Sequence, residues 1–433
     1  MTRLMTHLSA VVLALCLAFS VHAETTAIVG GKVHTVGPKG TIEGATIIIE
    51  GGLITAVGKG IGVPDGATVI DAKGKVITPG LFSPTGRIGL ADVSSSAGPV
   101  DSSQLGDQFT AGFDVADAYN SRSTMGRVQR IDGITRAAIV PAPGYSDSDI
   151  GHVISGLAAI VNLGDRNGID KRSAAMVVTL GESGSYYAKG SRTGAWLILK
   201  NALQEAADYR DHKGDFERGM RRDYQHSVAD LEALQGVLAG DIPLLVNVHR
   251  ASDIEVLIEL TESFGLEAII SGGAEAWMLA DEIANAGLSV IMTVTNNLPG
   301  SFDRLNARRG AANILHSAGV RFAITDGQSE SNNARNITQS AGNAVADGLD
   351  WDDALRAITL TPAEIYGVAD QVGSIEAGKA ADIVIWPADP FELTNYADQV
   401  FINGVSIPME SRQTLLRDRY LKSDTGKPPA YRN

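Results

Sequence analysis

Apolar and polar positions follow two different rhythms along this chain. Residues 24–79 carry short β-branched runs at 27–29, 46–50, 53–57 and 68–70, punctuated by glycine. Gly51-Gly52, between the middle two runs, supplies the positive backbone angles of a tight hairpin. The same texture returns at 381–386 and 399–404, after the turn signals Gly373 and Gly378. Hairpin sets this small are marginal alone, so 24–79 and 369–408 are expected to pair into one composite β-sandwich domain. The chain between them would then be an insertion.

That insertion, 80–368, alternates β-branched runs with amphipathic stretches, the pattern of parallel strands joined by crossover helices. Strands are expected at 76–82, 134–140, 157–163, 176–180, 244–249, 267–270, 289–294 and 321–325. The third equally reads as one arm of a hairpin. Eight strands close a barrel, so the expected fold is α/β: a TIM-like (β/α)8 barrel carrying a small β domain made from both chain ends. Helices are clearest in the second half. Ser252 and Glu255 form a capping box before 253–264, and Gly265 stops that helix. Similar signals place helices at 275–286 and 352–359, and 409–433 reads as a short basic helix with a mobile tail.

Composition narrows the class. With 433 residues, 44% apolar and 20% charged, the chain is neither a membrane bundle nor a disordered tail nor a disulfide miniprotein. Lys plus Arg is 36 against 50 for Asp plus Glu, and the resulting charge of -14 opposes nucleic-acid binding. Arg3 precedes an apolar run at 8–19 that ends at Val21-His22-Ala23, the grammar of a secretory leader cleaved after Ala23. Export, most simply to the periplasm, is therefore expected. The run is too short to span a bilayer, and Leu15 before Cys16 argues against a lipoprotein. Cys16 is the only cysteine, so removing residues 1–23 excludes disulfides, thiol catalysis and Cys-ligated zinc. A homo-oligomer remains open.

In barrels of this kind the chemistry sits at the carboxyl ends of the strands. His249 ends the run from 244, and Asp326 follows the run from 322. An imidazole and a carboxylate on two strand tips can share a divalent cation, and the carboxylate can take a proton from bound water. Local duties compete with that reading: a loop hydrogen bond for His249, a turn cap for Asp326. His152 and His316 read as a loop residue and a helix-end cap.

Val76-Ile77-Thr78-Pro79-Gly80-Leu81-Phe82 resembles the entry to the first barrel strand of the amidohydrolase superfamily, especially its imidazolonepropionase-like members. Gly373-Ser374-Ile375-Glu376-Ala377-Gly378-Lys379-Ala380-Ala381-Asp382-Ile383-Val384 resembles that family's return to the small β domain, and Thr359-Leu360-Thr361-Pro362-Ala363-Glu364-Ile365-Tyr366-Gly367 fits the helix before it. The resemblance implies a metal-activated water attacking a C–N bond. It also implies a His-x-His pair on strand one, a bridging residue on strand four, histidines on strands five and six and an aspartate on strand eight. This chain departs from that pattern. Thr85 and Arg87 stand at the first two positions and Gly272 at the strand-six position. His249 and Asp326 match, and Glu182 lies where strand four delivers its residue.

Arg87 would repel a divalent ion and suits a carboxylate. Two site readings stay open. In one, His249, Glu182 and Asp326 hold a single zinc or manganese. In the other no metal binds, Asp326 is the base and Arg87 neutralises an oxyanion. The function implied is hydrolysis of a non-peptide C–N bond (amide, cyclic amide or small dipeptide-like substrate) with a reduced or absent metal site. The alternative is an inactive exported relative that binds a small ligand in the barrel mouth. Residues 92–112 and 185–194 read as covers of that mouth.

Overall fold

A computed structural model of the protein describes residues 25–93, 98, 100–106, 109–144, 152–164, 168–296, 298–326 and 332–421. The leader at 1–23 and the tail beyond 421 lie outside the described residues. Among those described, no helix is long and apolar enough to cross a membrane.

The chain opens with β1 (Thr25–His34), β2 (Thr41–Glu50), β3 (Leu53–Gly58), β4 (Thr68–Asp71) and β5 (Val76–Pro79). Eight strands then follow in the central region: β6 (Leu81–Gly86), β7 (Ile134–Ile139), β8 (Ile154–Asn162), β9 (Ile169–Thr179), β10 (Leu244–Val248), β11 (Ala268–Gly272), β12 (Ser289–Met292) and β13 (Phe322–Ile324). The last three are β14 (Ile383–Trp386), β15 (Gln399–Ile402) and β16 (Val405–Ser406).

Strands from both ends form one sheet in the order β16-β15-β14-β5-β1-β2-β3, with β4 also on β1. The join is antiparallel, Ile383 facing Pro79 and Trp386 facing Val76. Gly51 and Gly52 make the β2–β3 turn at φ +57° and +88°, and a Cβ on Gly52 would lie 2.8 Å from the Asn403 carbonyl oxygen. The expectation of two sandwich layers is corrected to a single hydrogen-bonded sheet. The ten-residue β1 is long enough to hold β4 along its first half (Thr26 to Val29) and β5 along its second (Lys32, Val33). Ile28, Ile47, Ile49, Ile77, Ile383 and Phe401 pack together as this sheet's own core.

The second sheet runs β13-β12-β11-β10-β9-β8-β7-β6, the expected strands in their expected order except that the run expected at 76–82 is split, its first half joining the small sheet as β5 and only β6 joining the barrel. One feature departs from a regular (β/α)8 barrel: β8 is antiparallel to both neighbours. Only six residues separate β8 from β9, too few for the crossover that a parallel pair requires. Closure between β6 and β13 uses no ladder among the described residues. Instead Thr85 Oγ1 and Thr325 Oγ1 lie 3.1 Å apart, and the Phe82 N–H donates to the Ile358 carbonyl at 2.9 Å.

Strand alternation sorts the side chains into two layers. Phe82, Ala138, Ile160, Val177, Leu245, Ile269, Ile291 and Ala323 pack inside the barrel with Tyr366, whose hydroxyl donates to the Pro84 carbonyl at 2.7 Å. Ile134, Met176, Val246, Ile270, Val290 and Ile324 face the surrounding helices. Arg136 of β7 ties the two sheets together through Asp382 at 3.1 Å, the residue just before β14, and pairs within its own sheet with Asp170 of β9 at 3.2 Å.

The helix after β10 spans Ala251–Phe264 and ends at Gly265 in the left-handed conformation, φ +65°. The Ser252 capping box does not form. Ser252 Oγ accepts from Arg250 Nε at 2.7 Å, and the first N–H of the helix, on Ala251, donates instead to Glu275 Oε2 at 3.0 Å. A tertiary carboxylate has replaced the local cap.

Candidate active site at the barrel mouth

Parity decides what reaches the mouth. Residues 245 and 247 on β10, 177 and 179 on β9, and 269 and 271 on β11 share the inward face, so Asn247, Thr179 and Ser271 form a polar layer above the apolar barrel floor. With Thr85, Arg87, Val140 and Pro141 they line a cavity of about 90 Å3. Arg87 acts electrostatically on Tyr187, whose hydroxyl pKa is raised by burial and by Tyr186 and lowered by Arg87. Arg87 therefore belongs to the lining of this cavity.

His249 lies just past the end of β10, beside Gly272 and Met292, and is not among the residues lining that cavity. Its Nε2 accepts from Arg304 Nη2 at 2.8 Å, which places the ring proton on Nδ1, a buried atom with no hydrogen-bond partner. Burial, and then the Arg304 charge, lower its pKa from 6.5 to about 4, so the ring is neutral at ordinary pH. The ring fills the space a strand-six side chain would need. Gly272 has φ +102°, and a Cβ there would lie 2.2 Å from His249 Cε1.

Arg304 reaches this position through a braced segment, the short 3-10 turn Phe302–Arg304. Asp303 is buried, accepts from the Glu182 N–H and from Arg192, and donates its own N–H to Glu182 Oε2 at 3.2 Å. Arg192 also donates to Asp253 at 3.2 Å. Glu275 accepts the Asn306 N–H at 3.0 Å while holding the helix start at Ala251. Three elements thus fix the turn, and the guanidinium next to Asp303 is carried onto the imidazole.

The structure does not bring His249, Glu182 and Asp326 together. Glu182 is committed to the Asp303 clasp. Asp326 follows Thr325, which faces inward toward Thr85, so the next side chain turns to the opposite side and is hydrogen-bonded by Asn336 and Ser340. Burial raises the Asp326 pKa and those two bonds lower it. The same one-residue parity separates Gly272 from the inward Ser271. His152 Nε2 lies 2.9 Å from the Gly106 carbonyl, and His316 pairs at 3.1 Å with Asp353 of another helix; both partners are distant in sequence. Arg304 and its brace were missed in the sequence because they lie in a stretch without periodicity, and nothing local marks residue 304 as the partner of residue 249.

A family model described as the amidohydrolase family matches residues 204–407. The amidohydrolase tasK of Hapsidospora irregularis is 24% identical over 83% of this chain, which spans 39% of that relative's length. The imidazolonepropionase of Rhizobium meliloti (strain 1021) is 24% identical over 83% of this chain and 89% of its own. An amidohydrolase structure from Thermotoga maritima MSB8 superposes with a TM-score of 0.78 at 23% identity, covering 88% of this chain and 99% of that one. The chain is thus similar to proteins of the amidohydrolase superfamily, imidazolonepropionases among them. Its relatives named amidohydrolase and imidazolonepropionase are hydrolases of C–N bonds.

Members of this family typically use divalent metals. The residues here do not fit one. Thr85, Arg87 and Gly272 offer no ligand of the expected kind, a guanidinium sits on the nitrogen His249 would present, and no group of three His, Asp or Glu able to hold an ion occurs among the described residues. No chemical step is derived through a metal.

Proposed function

We propose that this protein acts on a small molecule with a non-peptide C–N bond, held in the mouth cavity, and that it does so without the metal-activated water usual in its family. The hydrolase assignment is supported by similarity over 83% of the chain to enzymes of that class. The metal-free clause is carried by a single observation, Arg304 on Nε2 of His249. Asn247, Thr179 and Ser271 can hydrogen-bond an amide, and Arg87 can neutralise charge developing on its oxygen. Export belongs to the same proposal and rests on the leader grammar of residues 1–23; cell fractionation with and without those residues tests it.

A second reading, a binding protein that holds the same ligand without turnover, is favoured by the position of Asp326. Its carboxyl group faces Asn336 and Ser340 and is not among the residues lining the cavity, and among the described residues no carboxylate lines it. One experiment separates the two. Chelator-treated protein is offered a panel of amides, cyclic amides and small dipeptides while binding and product are both followed. Turnover that survives chelation supports the first reading, and binding without product supports the second. Turnover that zinc or manganese restores refutes the metal-free clause.

A further inference from the structure

A second cavity, of about 270 Å3, shares no lining residue with the one at the mouth. It lies between Asp132, ahead of β7, the start of the helix Ile337–Ala346 and the loop that follows β14. An apolar cavity of roughly 150 Å3 holds benzene, so this one has room for about twelve non-hydrogen atoms. That is one small ring with its substituents.

The loop supplies an aromatic wall, Phe391 and Tyr396, beside Trp386 at the end of β14. It is firmly braced. Asp389 accepts from Trp351 Nε1 at 3.2 Å and from the Phe391 N–H at 2.9 Å, while its carbonyl accepts from Asn395 Nδ2 at 2.8 Å. The Phe391 ring lies 4.9 Å from the Trp351 ring, and the Phe391 carbonyl oxygen packs so close to Gly342 that a Cβ there would lie 3.2 Å away. Tyr396 is nevertheless 70% exposed. An aromatic side chain left in water on a braced loop can bind a ligand with little further loss of backbone freedom.

The rest of the lining is polar and largely uncommitted. The side chains of Thr338 and Gln339 make no hydrogen bond among the described residues. Asp132 stands 3.9 Å from Arg335, beyond hydrogen-bond length, so its oxygens are open to donors. Charge narrows the ligand further. The carboxylates of Asp132 and Glu392 oppose an anion, and Arg335 beside Asp132 opposes a cation. A neutral ring with hydroxyls at its edge and C–H bonds on its face suits the size, the aromatic wall and the charge together. We propose that this cavity binds a neutral sugar ring, with its C–H face on Tyr396 and Phe391 and its hydroxyls on Asp132, Thr338 and Gln339. The site goes beyond the function proposed for the mouth and does not depend on it.

The test uses the full chain. Pentoses, hexoses and N-acetylhexosamines, each free and as a short oligosaccharide, are titrated by saturation-transfer NMR and by tryptophan fluorescence. Melting temperature is not the readout, because excluded sugars stabilise any folded protein without binding it. At least one sugar should bind saturably at millimolar concentration, with saturation strongest on its ring C–H protons. Tyr396→Ala and Gln339→Ala, both at exposed positions, should each weaken that binding about three- to tenfold. Absence of saturable binding across the panel, or binding that both variants leave unchanged, overturns the proposal. Sorbitol, an open-chain polyol, binding as well as the sugar overturns the ring assignment, and tetramethylammonium displacing the sugar at lower concentration overturns the neutral one. Within a positive result, equal affinity for the free sugar and its oligosaccharide identifies a soluble ligand, and preference for the oligosaccharide identifies the end of a glycan. A protein that hydrolyses amides and binds no sugar sinks this inference and leaves the proposed function standing.

Discussion

Replacing Gly272 with alanine tests the packing on which the metal-free mouth depends. Gly272 has φ +102°, so any side chain costs about 1–3 kcal/mol in backbone strain. The added methyl would lie 2.2 Å from His249 Cε1, 2.7 Å from Nδ1 and 3.0 Å from Nε2. The first distance is roughly 1.3 Å short of ordinary carbon contact near 3.5 Å, so the ring must move. Movement breaks the bond from Arg304, a charge-assisted hydrogen bond worth about 1.5–3 kcal/mol. Together Gly272→Ala should cost about 2.5–6 kcal/mol. In a His249→Ala background no ring is present, and the same substitution should cost only the strain, about 1–3 kcal/mol. Urea unfolding of the four proteins, read as midpoint shifts at constant slope, gives a coupling of about 2 kcal/mol. Additivity of the two substitutions to within about 0.5 kcal/mol would show that the ring does not occupy that space.

Further outcomes follow from the same geometry. The folded His249 pKa, about 4, lies below its ordinary 6.5, so the unfolded chain binds the extra proton between those values. The resulting stability is complete above pH 6.5 and is lost as pH falls toward 4, a contribution of about 3 kcal/mol that His249→Gln should remove from the pH profile of unfolding. Dialysis against a chelator should leave the melting temperature unchanged, and elemental analysis should find well under one equivalent of zinc or manganese; a stoichiometric ion lost in His249→Ala would contradict the site described. Arg136→Met leaves the buried Asp382 carboxylate without its partner and should cost about 3–5 kcal/mol, measured by denaturant unfolding.

Much of the architecture was legible in one sequence. The β-branched runs predicted the eight central strands in order, because apolar side chains on both faces mark a strand buried between barrel floor and helices. Gly265 ended its helix as expected, since a residue tolerant of positive φ is needed there. The capping box failed because the helix begins at Ala251, whose N–H is held by the distant Glu275, so Ser252 lies inside the helix and not at its cap. The direction of β8 was less legible: a run of apolar residues does not reveal its orientation, and only the short link to β9 fixes it.

Composition and local pattern therefore determined that this chain folds as a barrel with a small sheet from its two ends, while the resemblance to amidohydrolases implied that Thr85, Arg87 and Gly272 stand where histidines are expected. What the tertiary structure alone decided is which groups face one another there. Asp326 turns from the cavity because its neighbour Thr325 takes the inward register, and Arg304 arrives on His249 because Asp303, Glu182 and Arg192 lock a turn 55 residues away. A period of two along a strand and contacts between distant segments are three-dimensional facts, and a shift of a single residue is enough to exchange the cavity for the helix layer.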